Sequence, residues 1–164
     1  RLTRSAFGFQ LDPHSSWMLS RSLETLSLRM ERAAQTASQV ADWLALNTII
    51  PCRVLHPLHC EDPTAAEVFA AQCTGPGSTF SFVIDDDRLL AFRILNELSL
   101  FKLAVSLGGT ESLACHPAST THSGVLPENR LAVGITDGLI RLSIGLEHPD
   151  DLIEDLKQAL GKAA

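Results

Sequence analysis

The apolar residues Leu19, Leu23, Leu26, Met30, Ala33 and Ala37 step by three and four along the chain. That spacing places them on one face of a helix, with Arg21, Glu24, Glu31 and Arg32 mostly on the other. Ser15 or Ser16 can cap such a helix, which then runs to about Leu46. A stripe of this length needs another layer of structure to bury it, so the rest of the chain must supply a sheet or further helices.

Short elements follow. Val54 to Leu58 reads as a strand, and Thr64 to Thr74 as a helix ended by Gly75-Pro76-Gly77. Ser78 to Ile84 is rich in aromatic and β-branched residues with alternation, which predicts a strand. Asp85-Asp86-Asp87 forms a turn whose charge suits the start of a helix over Leu89 to Leu98. Strands are expected over Leu100 to Ser106, near Ser112 to Cys115, and over Leu139 to Ile144. A short helix over Pro127 to Val133 and a terminal helix over Asp150 to Leu160, with Pro149 at its start, complete the order. Gly8 and Asp12-Pro13 mark the first residues as a connector. The order predicts an α+β layer, a small and mostly antiparallel sheet with helices packed on it.

Composition narrows the function classes. The net charge of −6 argues against a nucleic-acid or anionic-membrane surface. No apolar run approaches the ~18 residues that span a bilayer. The first ten residues, RLTRSAFGFQ, contain no apolar signal-peptide core and read as a cut through a folded protein. Cys52, Cys60, Cys73 and Cys115 form no CxxC pair, so reduced thiols in a cytoplasmic protein are expected.

The C-terminal third carries the most specific pattern. Its blocks are Ser106-Leu107-Gly108-Gly109, Glu111-Ser112-Leu113, His116-Pro117-Ala118-Ser119, Thr121-His122 and the run from Gly138 to Glu147, GLIRLSIGLE. With Leu11-Asp12-Pro13-His14-Ser15 and Arg21-Ser22-Leu23-Glu24-Thr25-Leu26, they resemble the C-terminal end of the pyridoxal-phosphate (PLP) enzymes of cysteine and methionine metabolism. That family includes methionine γ-lyases, cystathionine γ-synthases and the β- and γ-lyases. The resemblance covers the whole chain and is weakest from Thr48 to Asp87. It implies the small C-terminal domain of the aspartate-aminotransferase-like fold (PLP fold type I).

A PLP enzyme holds its cofactor on a lysine amine. The three lysines here, Lys102, Lys157 and Lys162, lack the serine- and threonine-rich context of the family's lysine. The resemblance places that lysine before Arg1. Residues 1–14 are therefore expected to connect to an upstream PLP-binding domain, and residues 15–164 to form the C-terminal domain. No catalytic, cofactor-binding or metal-binding residue is expected in the chain, and alone it should be inactive. The alternative is a non-catalytic structural or interaction module. The resemblance also implies an amino acid substrate and a homo-oligomer, a tetramer in the family.

Four residues are candidates for substrate binding. Arg141 interrupts the apolar strand pattern LIRLSIG, where a cation is costly unless paired or solvated in a cleft. Its guanidinium fork suits an α-carboxylate, although the residues alone leave open an arginine on an exposed strand face. The resemblance assigns it the substrate carboxylate, assisted by Ser106 and the backbone at Leu107. Val105 stands where cystathionine-handling γ-lyases carry an acidic residue and where methionine γ-lyases resemble this chain. It would offer an apolar wall to a thioether, or simply pack the core. His116 and His122, the His56-Pro57-Leu58-His59-Cys60 run and the three aspartates lack a completing metal-ligand pattern and are read as structural. Asp137 is a candidate either to begin the turn into the strand or to hold Arg141 in place.

Overall fold

The computed structural model describes residues 2–8 and 10–164. The helices are α1 (Leu2–Phe7), α2 (Pro13–Leu23), α3 (Leu26–Leu46), α4 (Pro63–Gln72), α5 (Arg88–Glu97), α6 (Pro127–Ala132) and α7 (Pro149–Ala163). The strands are β1 (Arg53–Leu55), β2 (Thr79–Val83), β3 (Lys102–Leu103), β4 (Leu113–Cys115) and β5 (Leu139–Ser143). They form one five-stranded sheet in the order β1-β2-β5-β4-β3, antiparallel except where β3 meets β4. This is the α+β layer expected from the sequence.

Strand alternation divides the sheet into two unlike faces. Ile140 and Leu142 of β5 lie on the rows of Phe82, Phe80, Val54 and Ala114, and all are buried. Helices α3, α5 and α7 form the layer that encloses this face, through Ala37, Val40, Leu44, Ile94, Leu152, Leu156 and Leu160. The opposite face carries Arg141 on the row of Ser81 and Cys115, and Ser143 on the row of Thr79 and Leu113. Hydrophobic burial therefore fixes which side of β5 is core and leaves its polar side chains on the other.

The long N-terminal helix is two helices. Asp12, rather than Ser15 or Ser16, caps α2, its carboxylate accepting from the Ser15 amide (3.0 Å) and hydroxyl (2.6 Å) with Pro13 in the first turn. These bonds hold the Asp12 carboxyl below the usual carboxylate range. The break falls at Glu24-Thr25, where Thr25 leaves the helical region at φ −110° and ψ 10°. Arg29 covers the break, donating to the Ser22 carbonyl at 2.6 Å and the Thr25 hydroxyl at 3.2 Å. The predicted stripe is buried only from Ala33 onward, where α3 meets the sheet; Leu19, Leu23, Leu26 and Met30 are exposed. The segment expected to be only a connector carries the short helix α1.

In β1 and β3 a side chain captures the backbone and shortens the strand relative to the expected range. The Asp155 carboxylate accepts from the amides of Ser99 (2.8 Å), Leu100 (2.8 Å) and Phe101 (3.1 Å), and β3 begins only at Lys102. His56 ends β1 by accepting at Nδ1 from the Leu58 amide, capping a 3₁₀ turn over Pro57–His59. The His56 ring is 4% exposed, stands edge-on to Phe80, and leaves Nε2 without a partner.

Burial pushes the His56 imidazole below its ordinary value near 6.5, His59 adds to the effect and Asp42 opposes it. The unfolded chain thus takes up a proton that the folded chain refuses as pH falls below that value, so acidification destabilises the fold. Thermal unfolding followed from about pH 7.5 to 5 should show a falling melting temperature. Asparagine can keep the cap, so His56→Asn should flatten that fall. An unchanged slope in the variant would refute the assignment.

Candidate functional site

Arg141 sits at the centre of β5, half-buried, on the face of the sheet away from the helices. Its Nη2 donates to the carbonyl oxygens of Val105 (2.8 Å) and Ser106 (3.1 Å). Its Nε is buried with no partner, and no carboxylate pairs with it among the described residues. A half-buried cation with carbonyls on one side and no counter-ion is poised for an anion.

The 105–112 segment brings the other candidates to the same place. Val105, Ser106 and Leu107 are all exposed beside Arg141. Gly108 follows in the left-handed region at φ +74°, a conformation glycine adopts without strain. Its amide donates to the Ser143 hydroxyl at 3.0 Å. Of the four candidates, Arg141 meets Val105 and Ser106 through their backbone carbonyls, and Leu107 follows in the same segment. Ser143 was not singled out, although its position two residues after Arg141 in a strand puts it on the same face.

Next to this cluster lies a cleft of about 230 Å³. Val105, Phe92, Leu103, Cys115, His116 and Thr120 are among the residues that line it. Burial pushes the Cys115 thiol up, with the Arg141 charge and a bond to Thr120 acting against it. The thiol therefore stays protonated and serves as a small apolar wall.

His116 is structural. Its Nε2 lies 2.8 Å from the Asp137 carbonyl and its Nδ1 2.8 Å from the Ser119 hydroxyl, while Phe92 stands edge-on to the ring. Both nitrogens are engaged, so the ring anchors the loop after β4 to the start of β5. The nearby His122 bonds the Thr121 hydroxyl. Asp137 does not hold Arg141. It pairs with Arg130 at 3.5 Å, and its amide donates to Asp86 at 2.8 Å. Asp87 caps α5 through the amides of Leu89 and Leu90. Among the described residues no cluster of three metal-ligating side chains exists.

The lysines do not form a cofactor site. Lys157 and Lys162 pair at 3.1 Å with Glu154 and Glu97, and Lys102 is exposed on the edge strand β3. A lysine that forms a Schiff base is normally activated by desolvation or a neighbouring cation, and none of these three is so placed. As placed, these lysines do not fit covalent attachment of PLP.

No helix among the described residues is long and apolar enough to cross a membrane. A family model described as "Cys/Met metabolism PLP-dependent enzyme" matches residues 1–161. The cystathionine β-lyase MetC of Bacillus subtilis is 38% identical over 161 residues, which are 98% of this chain and 40% of that protein. The L-methionine γ-lyase of Pseudomonas putida is 40% identical over 157 residues, 96% of this chain and 39% of that one. A solved Campylobacter jejuni structure, described as an O-acetylhomoserine (thiol)-lyase carrying N'-pyridoxyl-lysine-5'-monophosphate, superposes with a TM-score of 0.83. It is 40% identical, and the match covers 92% of this chain and 36% of that chain. The chain thus spans about 40% of the length of the curated relatives it matches. The fold of the sheet and helices and these matches lead to one conclusion: the chain belongs to the PLP-dependent enzymes of cysteine and methionine metabolism.

Proposed function

We propose that this chain is the substrate-carboxylate-binding, C-terminal part of a PLP-dependent carbon–sulfur lyase or transsulfuration transferase. Residues 15–164 form the domain and residues 1–14 connect it to a PLP-binding domain that supplies the cofactor lysine. The observation that carries the reading is the half-buried Arg141, which has carbonyls on one side and no carboxylate partner among the described residues. An amino acid α-carboxylate supplies the missing anion through charge-assisted hydrogen bonds. Ser106 and the backbone at Leu107 flank that carboxylate.

Holding the carboxylate fixes the substrate's orientation, a contribution worth several kcal/mol of barrier in well-positioned reactions. The parent enzyme eliminates or replaces the substituent at Cγ or Cβ of a sulfur amino acid or an O-activated homoserine. It works in the cytoplasm as a homo-oligomer, a tetramer by analogy with the family. The 164 residues alone are inactive, because none of their lysines is placed to hold PLP.

Val105 sets the side-chain preference. It is exposed at the mouth of the cleft, between Leu103 and the carboxylate site. An apolar wall there favours a thioether and offers nothing to the distal ammonium of cystathionine. The full-length parent should release α-keto acid from methionine in preference to cystathionine. Val105→Glu should move that preference towards cystathionine by about tenfold, the size of one exposed-to-half-buried charge contact. A substrate panel of methionine, cystathionine and O-succinylhomoserine checks both, and an unaltered preference in the variant would remove Val105 from the specificity argument.

A further inference from the structure

We infer that Ser143 and Glu147 are positioning residues for the carboxylate site, an inference that rests on the role of Arg141 proposed above. The 105–111 segment supplies the two carbonyls that hold the guanidinium, yet each of its residues is exposed. Buried apolar contacts therefore contribute little to its position, and polar anchors must set it.

Those anchors all come from the C-terminal half of one strand and the residues just after it. Ser143, 1% exposed, accepts the Gly108 amide at 3.0 Å. The Leu146 amide donates to the Thr110 carbonyl at 2.9 Å. The Glu147 carboxylate accepts from both the Ser112 amide and the Ser112 hydroxyl at 2.7 Å. The same hydroxyl accepts from the Gly145 amide at 2.9 Å. Gly145 has no side chain because a Cβ there would overlap the Thr110 carbonyl, the Glu111 backbone and the Glu147 carboxylate.

Arg141 and Ser143 point to the same face of β5. One holds the carbonyls at the start of the segment and the other holds its glycine turn. Glu147, through Ser112, ties down its end. The anion-binding fork and the frame that aims it are therefore built from a single run, Arg141 to Glu147. Loss of an anchor frees the Val105 and Ser106 carbonyls to drift, and the guanidinium with them.

The test uses full-length protein with its cofactor. Dissociation constants are measured by titrating the cofactor absorbance with a sulfur amino acid and with the decarboxylated amine derived from it. The ratio of the two reports carboxylate recognition and is insensitive to general loosening of the fold. Arg141→Ala should abolish the preference for the amino acid. Ser143→Ala should lower it by about threefold to tenfold, the effect of one buried hydrogen bond, and Ser143→Thr, which keeps the hydroxyl, should retain it. Glu147→Gln should lower it as well and decides the matter if Ser143→Ala fails to fold. An unchanged ratio in Ser143→Ala and Glu147→Gln, with Arg141→Ala effective, overturns this inference alone. An unchanged ratio in Arg141→Ala overturns the carboxylate reading and this inference together.

Discussion

Arg141→Ala in the full-length parent should lower kcat/KM for an amino acid substrate by about 10² to 10³-fold, chiefly through KM. The substitution removes a partly desolvated cation that grips its ligand through charge-assisted bonds, and truncating one partner of such a pair costs about 2–5 kcal/mol. It also leaves the Val105 and Ser106 carbonyls without their donor. Arg141→Lys keeps the charge but loses the planar fork, so it should recover only part of the loss. Cofactor absorbance of the variant should match the wild type, because the described residues around Arg141 include no lysine placed to hold PLP. Near-normal kinetics in Arg141→Ala would end the proposal that this residue holds the substrate carboxylate.

Asp155→Ala should cause the largest loss of stability of any single change considered, about 3 kcal/mol or more. The carboxylate projects from α7 and terminates three successive amides, Ser99, Leu100 and Phe101. It also accepts from the Gln158 side chain at 3.1 Å. Alanine would leave those amides desolvated beside Phe101, which is buried in the core, and each orphaned group carries its own penalty. Asp155→Asn keeps acceptor capacity at one oxygen only and should fall between wild type and alanine. Chemical denaturation compares the three. If Asp155→Ala unfolded at the wild-type midpoint, the turn would have to be held by packing alone.

Much of this is legible in the sequence, and the element boundaries show why the remainder is not. Apolar periodicity located the second half of the long helix, the strands at Thr79–Val83 and Leu139–Ser143, and the terminal helix. Periodicity reports which side chains favour burial, and these elements owe their existence to burial. It could not report the break at Thr25, where Arg29 reaches back to the Ser22 carbonyl. Nor could it give the late start of β3, decided by Asp155 from 54 or more residues away. Local propensity yields wherever a distant polar group captures the backbone.

The candidate site divides in the same way. The run from Arg141 to Glu147 and the Ser106-Leu107-Gly108-Gly109 turn could be named as a family pattern, and Arg141 stood out as a cation in an apolar strand. Asp137, open in the sequence between beginning the strand turn and fixing Arg141, pairs with Arg130 instead.

The linear order of residues therefore determined the class of fold, the family and the residue types at the site, because those follow from periodicity and from motif content. Only the tertiary structure decided which partners close the site: that Arg141 faces away from the helices and takes two carbonyls from a segment some 35 residues earlier. It also brought the Ser143 hydroxyl to the Gly108 amide and the Glu147 carboxylate to the Ser112 amide. Hydrogen bonds of this kind form only after hydrophobic burial has set the strand register, and a one-residue slip would turn Arg141 into the core.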